Sequence, residues 1–133
     1  MRLLLDTHTL LWFLNGSSRL SVPAREAICD LTNHRFVSTA SLWEVAIKTS
    51  LGKLTLATSF EEMIEKEIDL NDINVLPIEG HHLITMAKLA FPANDHRDPF
   101  DRMIVAQAAR NNLALVTRDT AIREYASLQT IVA

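Results

Sequence analysis

The amino-acid sequence predicts an α/β sandwich in which helices flank a mostly parallel central sheet. Short apolar runs that suit buried strands alternate along the chain with longer segments of helical periodicity. The 133 residues include only three glycines and contain no repeat and no Pro- or Ser-rich linker, so one domain spanning 1–133 is expected. A content of 48% hydrophobic and 22% charged residues can supply one buried core and a charged surface.

Five short runs are the predicted strands. The first, Arg2–Leu5, is apolar almost without interruption, as expected of a strand that is buried on both faces of a parallel sheet. The other predicted strands are Phe36–Val37, Val75–Ile78, Ala114–Thr117 and, at an edge of the sheet, Thr130–Val132.

Seven segments have helical spacing or a helix-start signal. Pro23, shortly after Ser21, starts the second helix, and the Asp98–Pro99 pair starts the sixth. Ser41 is expected to cap the third helix, which is favoured over a strand through Val45 because the run is long. The predicted helices are Thr9–Leu14, Pro23–Asn33, Ser41–Leu51, Phe60–Ile68, Leu83–Ala90, Pro99–Asn112 and Thr120–Ala126.

Composition excludes several classes of protein. A single cysteine, Cys29, is incompatible with an intramolecular disulfide or a Cys-rich zinc site and agrees with a cytoplasmic location. The N-terminal apolar stretch is interrupted by Asp6 and His8, so neither a membrane span nor a signal peptide is expected. The three glycines form no phosphate-binding loop, and no nucleotide cofactor is expected.

The net charge of −3 does not exclude RNA as a partner. If a divalent cation occupies four of the sixteen acidic residues, twelve remain against thirteen Lys and Arg. The rest of the surface is then slightly basic, which is compatible with a polyanionic substrate.

Acidic residues carry the chemistry that the sequence suggests. Asp6 and Asp119 follow predicted strands, and the carboxyl ends of parallel strands meet at one rim, where ligands bind. Glu44 lies in the apolar segment Leu42–Ile47, where an unpaired carboxylate would cost several kcal/mol. It should therefore be protonated, bound to a cation, or paired with Lys48, four residues further on.

Helix capping is a competing interpretation for three acidic residues, Asp98, Asp101 and Asp119. Asp98 has the position of an N-cap, which is its favoured role, and Asp101 that of a capping-box partner, although a metal-binding role is favoured for Asp101. Asp119 could equally cap the helix that follows it. Several carboxylates without clustered Cys or His form a donor set suited to Mg²⁺ or Mn²⁺, which would support phosphodiester hydrolysis.

Basic and imidazole side chains flank the acids. Arg97, Arg102 and Arg118 are candidates for binding substrate phosphate, with ion pairing to adjacent acids as an equal alternative. His8 and His96 are expected to have hydrogen-bonded structural roles rather than to transfer protons. Neither they nor His81 and His82 have the spacing of metal ligands.

Four motifs in this order resemble the PIN-domain family, specifically its VapC-type toxin ribonucleases from bacterial toxin–antitoxin pairs. They are Leu3–His8, Ser41–Lys48 with Leu51–Leu54, His96–Ile104 and Leu115–Asp119. The resemblance covers almost the whole chain and implies a PIN-like three-layer sandwich. It also implies an endoribonuclease that depends on Mg²⁺ or Mn²⁺, with the metal held by Asp6, Glu44, Asp101 and Asp119.

The family pattern places its third acid before a run like Arg102–Ala106, which selects Asp101 over Asp98. Asp98, Thr7 and Thr117 are then candidates for supporting the metal ligands. The resemblance further implies a homodimer and a cognate antitoxin that covers the active site.

Two alternatives stay open at this point. One is a non-catalytic module that uses the acids to bind metal or a partner. The other is a haloacid-dehalogenase-like phosphatase, whose motif requires a second Asp at the position that His8 occupies.

Overall fold

The computed structural model describes residues 1–125 and 128–133, and its centre is a five-stranded sheet. The strands are β1 (Arg2–Leu5), β2 (His34–Ser38), β3 (Ile73–Leu76), β4 (Ala114–Thr117) and β5 (Thr130–Val132). Their order across the sheet is β3-β2-β1-β4-β5, and every neighbouring pair is parallel. The expected parallel sheet is confirmed, as is the edge position of the last strand.

Helices connect the strands and lie on both faces of the sheet. They are α1 (Thr7–Leu14), α2 (Val22–Cys29), α3 (Thr39–Ser50), α4 (Phe60–Glu62, Met63–Glu67 and Ile68–Leu70 in succession), α5 (Gly80–Lys88), α6 (Pro99–Asn111) and α7 (Thr120–Arg123). The middle segment of α4 is π-helical. The predicted end of the last helix, Ala126, lies outside the described residues.

Two buried clusters cover the faces of the sheet and give the molecule three layers. Leu3 and Leu5 of β1 pack on one side with apolar residues of α1 to α4. Leu4 points to the other side and packs with residues of α6 and α7, including Ile104 and Ile122. All three leucines are fully buried, as predicted for a central parallel strand. No helix in the described ranges is long and apolar enough to cross a membrane.

The third helix begins earlier than the sequence predicts. Its N-cap is Ser38, whose Oγ accepts a hydrogen bond from the Ala40 amide at 3.0 Å. Ser41, the predicted cap, is buried inside the helix. The prediction was wrong because β2 passes into α3 without a loop, so the last strand residue is also the cap.

Helices α1 and α2 also differ from their predicted bounds. Asp6 caps α1 by accepting from the Thr9 amide at 2.8 Å, so the helix starts at Thr7. Helix α2 ends at Cys29 instead of Asn33. The Asn33 side chain accepts from the N-terminal amine of Met1 at 2.8 Å and donates to the Ala27 carbonyl at 2.9 Å. These two contacts hold Asn33 in the bend that precedes β2, so it is not part of the helix.

Strand β3 lies two residues before its predicted position. Arg35, which is buried in β2, pairs in register with Ile73 and donates to the backbone carbonyl and carboxylate of Asp72. This contact fixes the start of β3 directly after Asp72. Apolar periodicity alone does not reveal it.

Candidate metal and substrate site

The carboxyl ends of β1 and β4 bring the predicted acids to one cleft. Leu5 is in register with Val116, and the Asp6 amide donates to the Val116 carbonyl at 3.2 Å. The cleft beyond these strand ends has a volume of about 430 Å³. Its lining residues are Asp6, Thr7, His8, Trp12, Glu44, Lys48, Asp98, Asp101, Arg118, Asp119 and Ile122.

Asp6 combines two roles. It is buried at the end of β1, and its Oδ1 forms the cap of α1. A carboxylate offers about four acceptor positions, so one capping bond leaves capacity for another ligand. Thr7, the next residue, is also buried and holds a different acid of the site.

Glu44 is buried, and each of its carboxylate oxygens accepts one hydrogen bond. Thr7 Oγ1 donates to Glu44 Oε1 at 2.7 Å, and Lys48 Nζ donates to Glu44 Oε2 at 2.7 Å. The bond with Glu44 raises the pKa of Lys48 above its usual value. The ion pair with Lys48, one of the three alternatives for Glu44, is therefore present, and both of its residues line the cleft. Lys48 was not among the predicted site residues. Its position four residues after Glu44 was the sequence feature that could have placed it there.

Asp98 and Asp101 make different contacts, and the N-cap favoured for Asp98 is present. Asp98 is the N-cap of α6, since its Oδ1 accepts from the Asp101 amide at 3.0 Å. The Asp101 carboxylate makes a different contact, with Oδ2 lying 3.1 Å from His96 Nε2. Asp101 is therefore free of the reciprocal capping bond and lines the cleft.

Asp101 has a carboxyl group with a raised pKa. Burial, followed by the nearby charges of Asp98, Glu44, Asp119 and Asp6, raises its pKa to about 7. The ordinary value is 3.8. The carboxyl group is therefore partly protonated at neutral pH, and the neighbouring negative charges add to the effect of burial.

Asp119 is exposed at the edge of the cleft. Its Oδ1 accepts from the Ala121 amide at 2.8 Å as the N-cap of α7, and its own amide donates to Thr117 Oγ1 at 3.1 Å. His96, Asp101 and Asp119 can each place one ligand atom within 4.8 Å of the others. His96 is thus an additional neighbour of the acids that its sequence spacing did not indicate.

The hydrogen-bonded role predicted for His96 is confirmed. Its Nε2 contacts Asp101, and its Nδ1 lies 3.1 Å from the hydroxyl of Tyr125. His82 is fully buried and accepts from the Glu79 amide at 3.0 Å, away from the cleft. His8 lines the cleft, with its ring centroid 5.9 Å from that of Trp12.

Only one of the three candidate arginines is among the cleft residues. Arg118 lines the cleft, whereas Arg102 is buried and donates to the Leu89 carbonyl at 2.7 Å and the Tyr125 hydroxyl at 3.1 Å. Arg97 forms an ion pair with Asp95 at 3.0 Å. The structure therefore does not bring Arg97 or Arg102 to the acids as substrate-binding groups.

The donor chemistry fits a hard divalent cation. Oxygen ligands dominate the cleft, and its crowded negative charge would be relieved by a metal ion. Among the described residues, His96, Asp101 and Asp119 have ligand atoms close enough to share one ion, and Asp6, Glu44 and Asp98 line the same cleft.

The PIN-domain family profile matches residues 3–128. The chain belongs to the PIN-domain family. Ribonuclease VapC22 of Mycobacterium tuberculosis is 26% identical to this PIN domain over 123 residues, which cover 92% of this chain and 90% of that protein. Membership of the family removes the haloacid-dehalogenase-like alternative.

Solved structures confirm the PIN fold. The structure of VapBC2 from Rickettsia felis, bound to a promoter DNA fragment, superposes with a TM-score of 0.70 at 16% identity, covering 98% of both chains. VapBC-1 from nontypeable Haemophilus influenzae gives a TM-score of 0.70 at 21% identity, covering 98% of this PIN domain and 97% of that chain. At these identities the likeness concerns the fold alone.

Proposed function

We propose that this PIN domain is a metal-dependent endoribonuclease and the toxin of a toxin–antitoxin pair. The observation that carries the proposal is the convergence of Asp6, Glu44, Asp98, Asp101 and Asp119 on one cleft. The similarity to a protein named as a ribonuclease supports RNA as the substrate.

In this proposal Asp6, Glu44, Asp101 and Asp119 hold Mg²⁺ or Mn²⁺. When bound, such a cation lowers the pKa of a water ligand and neutralises charge on the phosphodiester. The exposed position of Asp119 leaves one side of the cleft open to substrate.

The chain's own residues position the acids. Thr7 fixes one oxygen of Glu44 and Lys48 the other, so the carboxylate cannot rotate freely. His96 orients Asp101 in the same way. Lys48 and Arg118 bring positive charge to the cleft, which favours an approaching phosphate.

Partners and location belong to the same proposal. Solved neighbours include VapBC complexes, and we propose that a cognate antitoxin covers the acidic cleft of this chain too. A homodimer, a cytoplasmic location and a single nuclease domain over 1–133 complete the assignment.

An RNA-cleavage assay with Asp6→Asn tests the function. Asparagine is as good an N-cap as aspartate, so α1 keeps its cap while the charge is lost. We expect RNA cleavage by the wild type in Mg²⁺ or Mn²⁺, no cleavage in EDTA, and a loss of at least about 100-fold in Asp6→Asn, in line with a loss of about 3 kcal/mol of transition-state stabilisation.

Asp69→Asn is the matched control, because Asp69 is an exposed aspartate of α4 outside the cleft lining. It should cleave like the wild type. Cleavage that survives both EDTA and Asp6→Asn would overturn the proposal, whereas metal binding without cleavage of any cellular RNA would favour a non-catalytic binding module.

A further inference from the structure

The guanidinium of Arg118 is held in place at the side of the cleft. Its Nε donates to the backbone oxygen of Ala133 at 2.8 Å, and its Nη2 donates to the backbone oxygen of Arg19. Its Cζ lies 4.8 Å from the centroid of the Trp12 ring. Three contacts therefore fix a group that is usually mobile on a protein surface.

The groups that hold Arg118 are themselves part of ordered backbone. The Ala133 amide donates to the Thr117 carbonyl at 3.1 Å, which extends the pairing of β5 with β4. The Arg19 amide donates to Ser17 Oγ at 3.1 Å, and the Ser17 amide donates to the Trp12 carbonyl at 2.9 Å. The loop after α1 and the end of β5 thus hold the guanidinium from two sides.

This arrangement limits how Arg118 can bind a phosphate. A bidentate contact uses two parallel N–H groups of the guanidinium. Here Nε and one N–H of Nη2 donate to backbone oxygens, so the edge that contains Nε is occupied, and two N–H groups of Nη1 and one of Nη2 stay uncommitted. The side chain is nevertheless exposed and lines the cleft beside the acids. Because the guanidinium is held in a fixed orientation at the side of the cleft, its flat face is a fixed surface for contact.

Flat guanidinium and aromatic faces are the surfaces on which single-stranded RNA bases stack. We propose that Trp12 and Arg118 form a stacking platform for one nucleobase next to the phosphate that is cleaved. The inference rests on the proposed ribonuclease function and adds to it the group that binds a base.

A second hollow lies next to the platform and could take a neighbouring nucleotide. It has a volume of about 420 Å³ and shares His8 and Trp12 with the acidic cleft. Its further lining includes Arg19, Leu54 and Leu56. A nucleotide flanking the stacked base would find both an apolar surface and a cation there.

Binding of defined RNAs to a cleavage-deficient protein tests the platform. The protein is Asp6→Asn combined with Trp43→Phe, because Trp12 is then the only remaining tryptophan of the two in the chain. The probes are end-labelled octaadenylate, octauridylate and an abasic ribose-phosphate octamer, all in Mg²⁺. Binding is followed by RNA anisotropy and by Trp12 fluorescence.

We expect the base-containing octamers to bind about tenfold tighter than the abasic octamer, as one stacked base provides, and to quench Trp12. Adding Arg118→Lys keeps the charge but removes the flat face. It should reduce this preference to within about twofold and leave affinity for the abasic octamer unchanged. Arg110→Lys, at an exposed arginine near the end of α6, should leave the preference intact.

An equal loss of affinity for all three octamers in Arg118→Lys would overturn the proposal, since it indicates a phosphate contact. An unchanged preference for bases would also overturn it. If Arg118→Lys fails to fold by circular dichroism, Trp12→Phe and Trp12→Leu replace it, read by anisotropy, and only the leucine variant should lose the preference. Should the wild type bind in this way but cleave no RNA, the platform stands and the nuclease assignment falls.

Discussion

At the scale of single residues, the acidic site lowers the stability of the folded protein when no cation is bound. Asp101 has a pKa of about 7 in the native protein because it is partly buried among other carboxylates. In the unfolded chain its pKa returns to about 3.8. Between these values the native state binds more protons than the unfolded state, so this group lowers stability as pH rises from about 4 to about 7.

Asp101→Asn removes this cost. In EDTA we expect the variant to be more stable than the wild type at pH 7.5 by about 1–3 kcal/mol, which raises the melting temperature by several degrees. The full change in pKa would give about 4 kcal/mol, and the partial exposure of the carboxyl to solvent reduces it. At pH 3 the difference should nearly vanish, because the carboxyl group is then mostly protonated in both the native and the unfolded wild type. Thermal melts at the two pH values measure it, with Asp69→Asn as an exposed control. A variant less stable than the wild type at pH 7.5 would contradict the electrostatic account.

Lys48 provides a second test at this scale. Its ammonium occupies Glu44 Oε2 at 2.7 Å and competes there with any metal ion. Lys48→Gln should therefore tighten Mn²⁺ binding by about fivefold, equivalent to about 1 kcal/mol. Isothermal titration calorimetry gives the affinity directly, and Lys53→Gln, at an exposed lysine outside the cleft lining, should bind as the wild type does. Weaker binding in Lys48→Gln would show that the lysine instead supports the site.

Sequence patterns could single out Glu44 and suggest Lys48 as its partner, but they could not predict the partners that come from distant parts of the chain. The apolar neighbours of Glu44 were sufficient to single it out, because burial of a charge demands a compensating group. Arg102 shows the limit of such reasoning. It is adjacent in sequence to Asp101, yet α6 directs it to Leu89 and Tyr125, which come from separate parts of the chain.

At the scale of the elements, three site carboxylates are also helix caps. Asp6, Asp98 and Asp119 cap α1, α6 and α7 through their Oδ1 atoms. The choice between capping and catalysis that the sequence posed is therefore not exclusive. The same cap places each carboxylate at the N-terminus of a helix, where the positive end of the helix dipole favours negative charge.

Asp98 allows the two roles to be separated. Asp98→Asn should retain the cap and fold with nearly wild-type stability, whereas Asp98→Ala should lose about 1 kcal/mol. If Asp98 only supports the site, RNA cleavage by Asp98→Asn should stay within about tenfold of the wild type, a change of at most about 1.4 kcal/mol in the barrier. Chemical denaturation and cleavage rates measure these effects. A loss in Asp98→Asn as large as that in Asp6→Asn would make Asp98 a metal ligand.

The elements themselves were largely predictable, and their ends were not. Continuous apolar runs marked β1 and β4 because both faces of these strands are covered. The shift of β3 and the start of α3 depend on Arg35 with Asp72 and on the cap at Ser38. The first is a tertiary contact and the second a direct strand-to-helix junction, and neither has a periodic signal in sequence.

At the scale of the whole molecule, the parallel sheet explains why distant acids meet. β1 and β4 are neighbours although more than one hundred residues separate them, so the residues that follow them share one rim. Alternation of strands and helices could predict this rim. It could not predict that Trp12 and a backbone oxygen at Ala133 would fix Arg118 beside it, since those contacts require the complete fold.

The central claim is that a cation held by the acidic cleft acts on the phosphate of RNA. The most direct measurement uses an RNA with a mapped cleavage site, in which sulfur replaces a non-bridging oxygen of the cleaved phosphate. Because Mn²⁺ accepts sulfur ligands more readily than Mg²⁺ does, the account predicts slow cleavage of one phosphorothioate isomer in Mg²⁺ and recovery of the rate in Mn²⁺. Equal rates for the oxygen- and sulfur-containing RNAs in Mg²⁺, for both isomers, would contradict it.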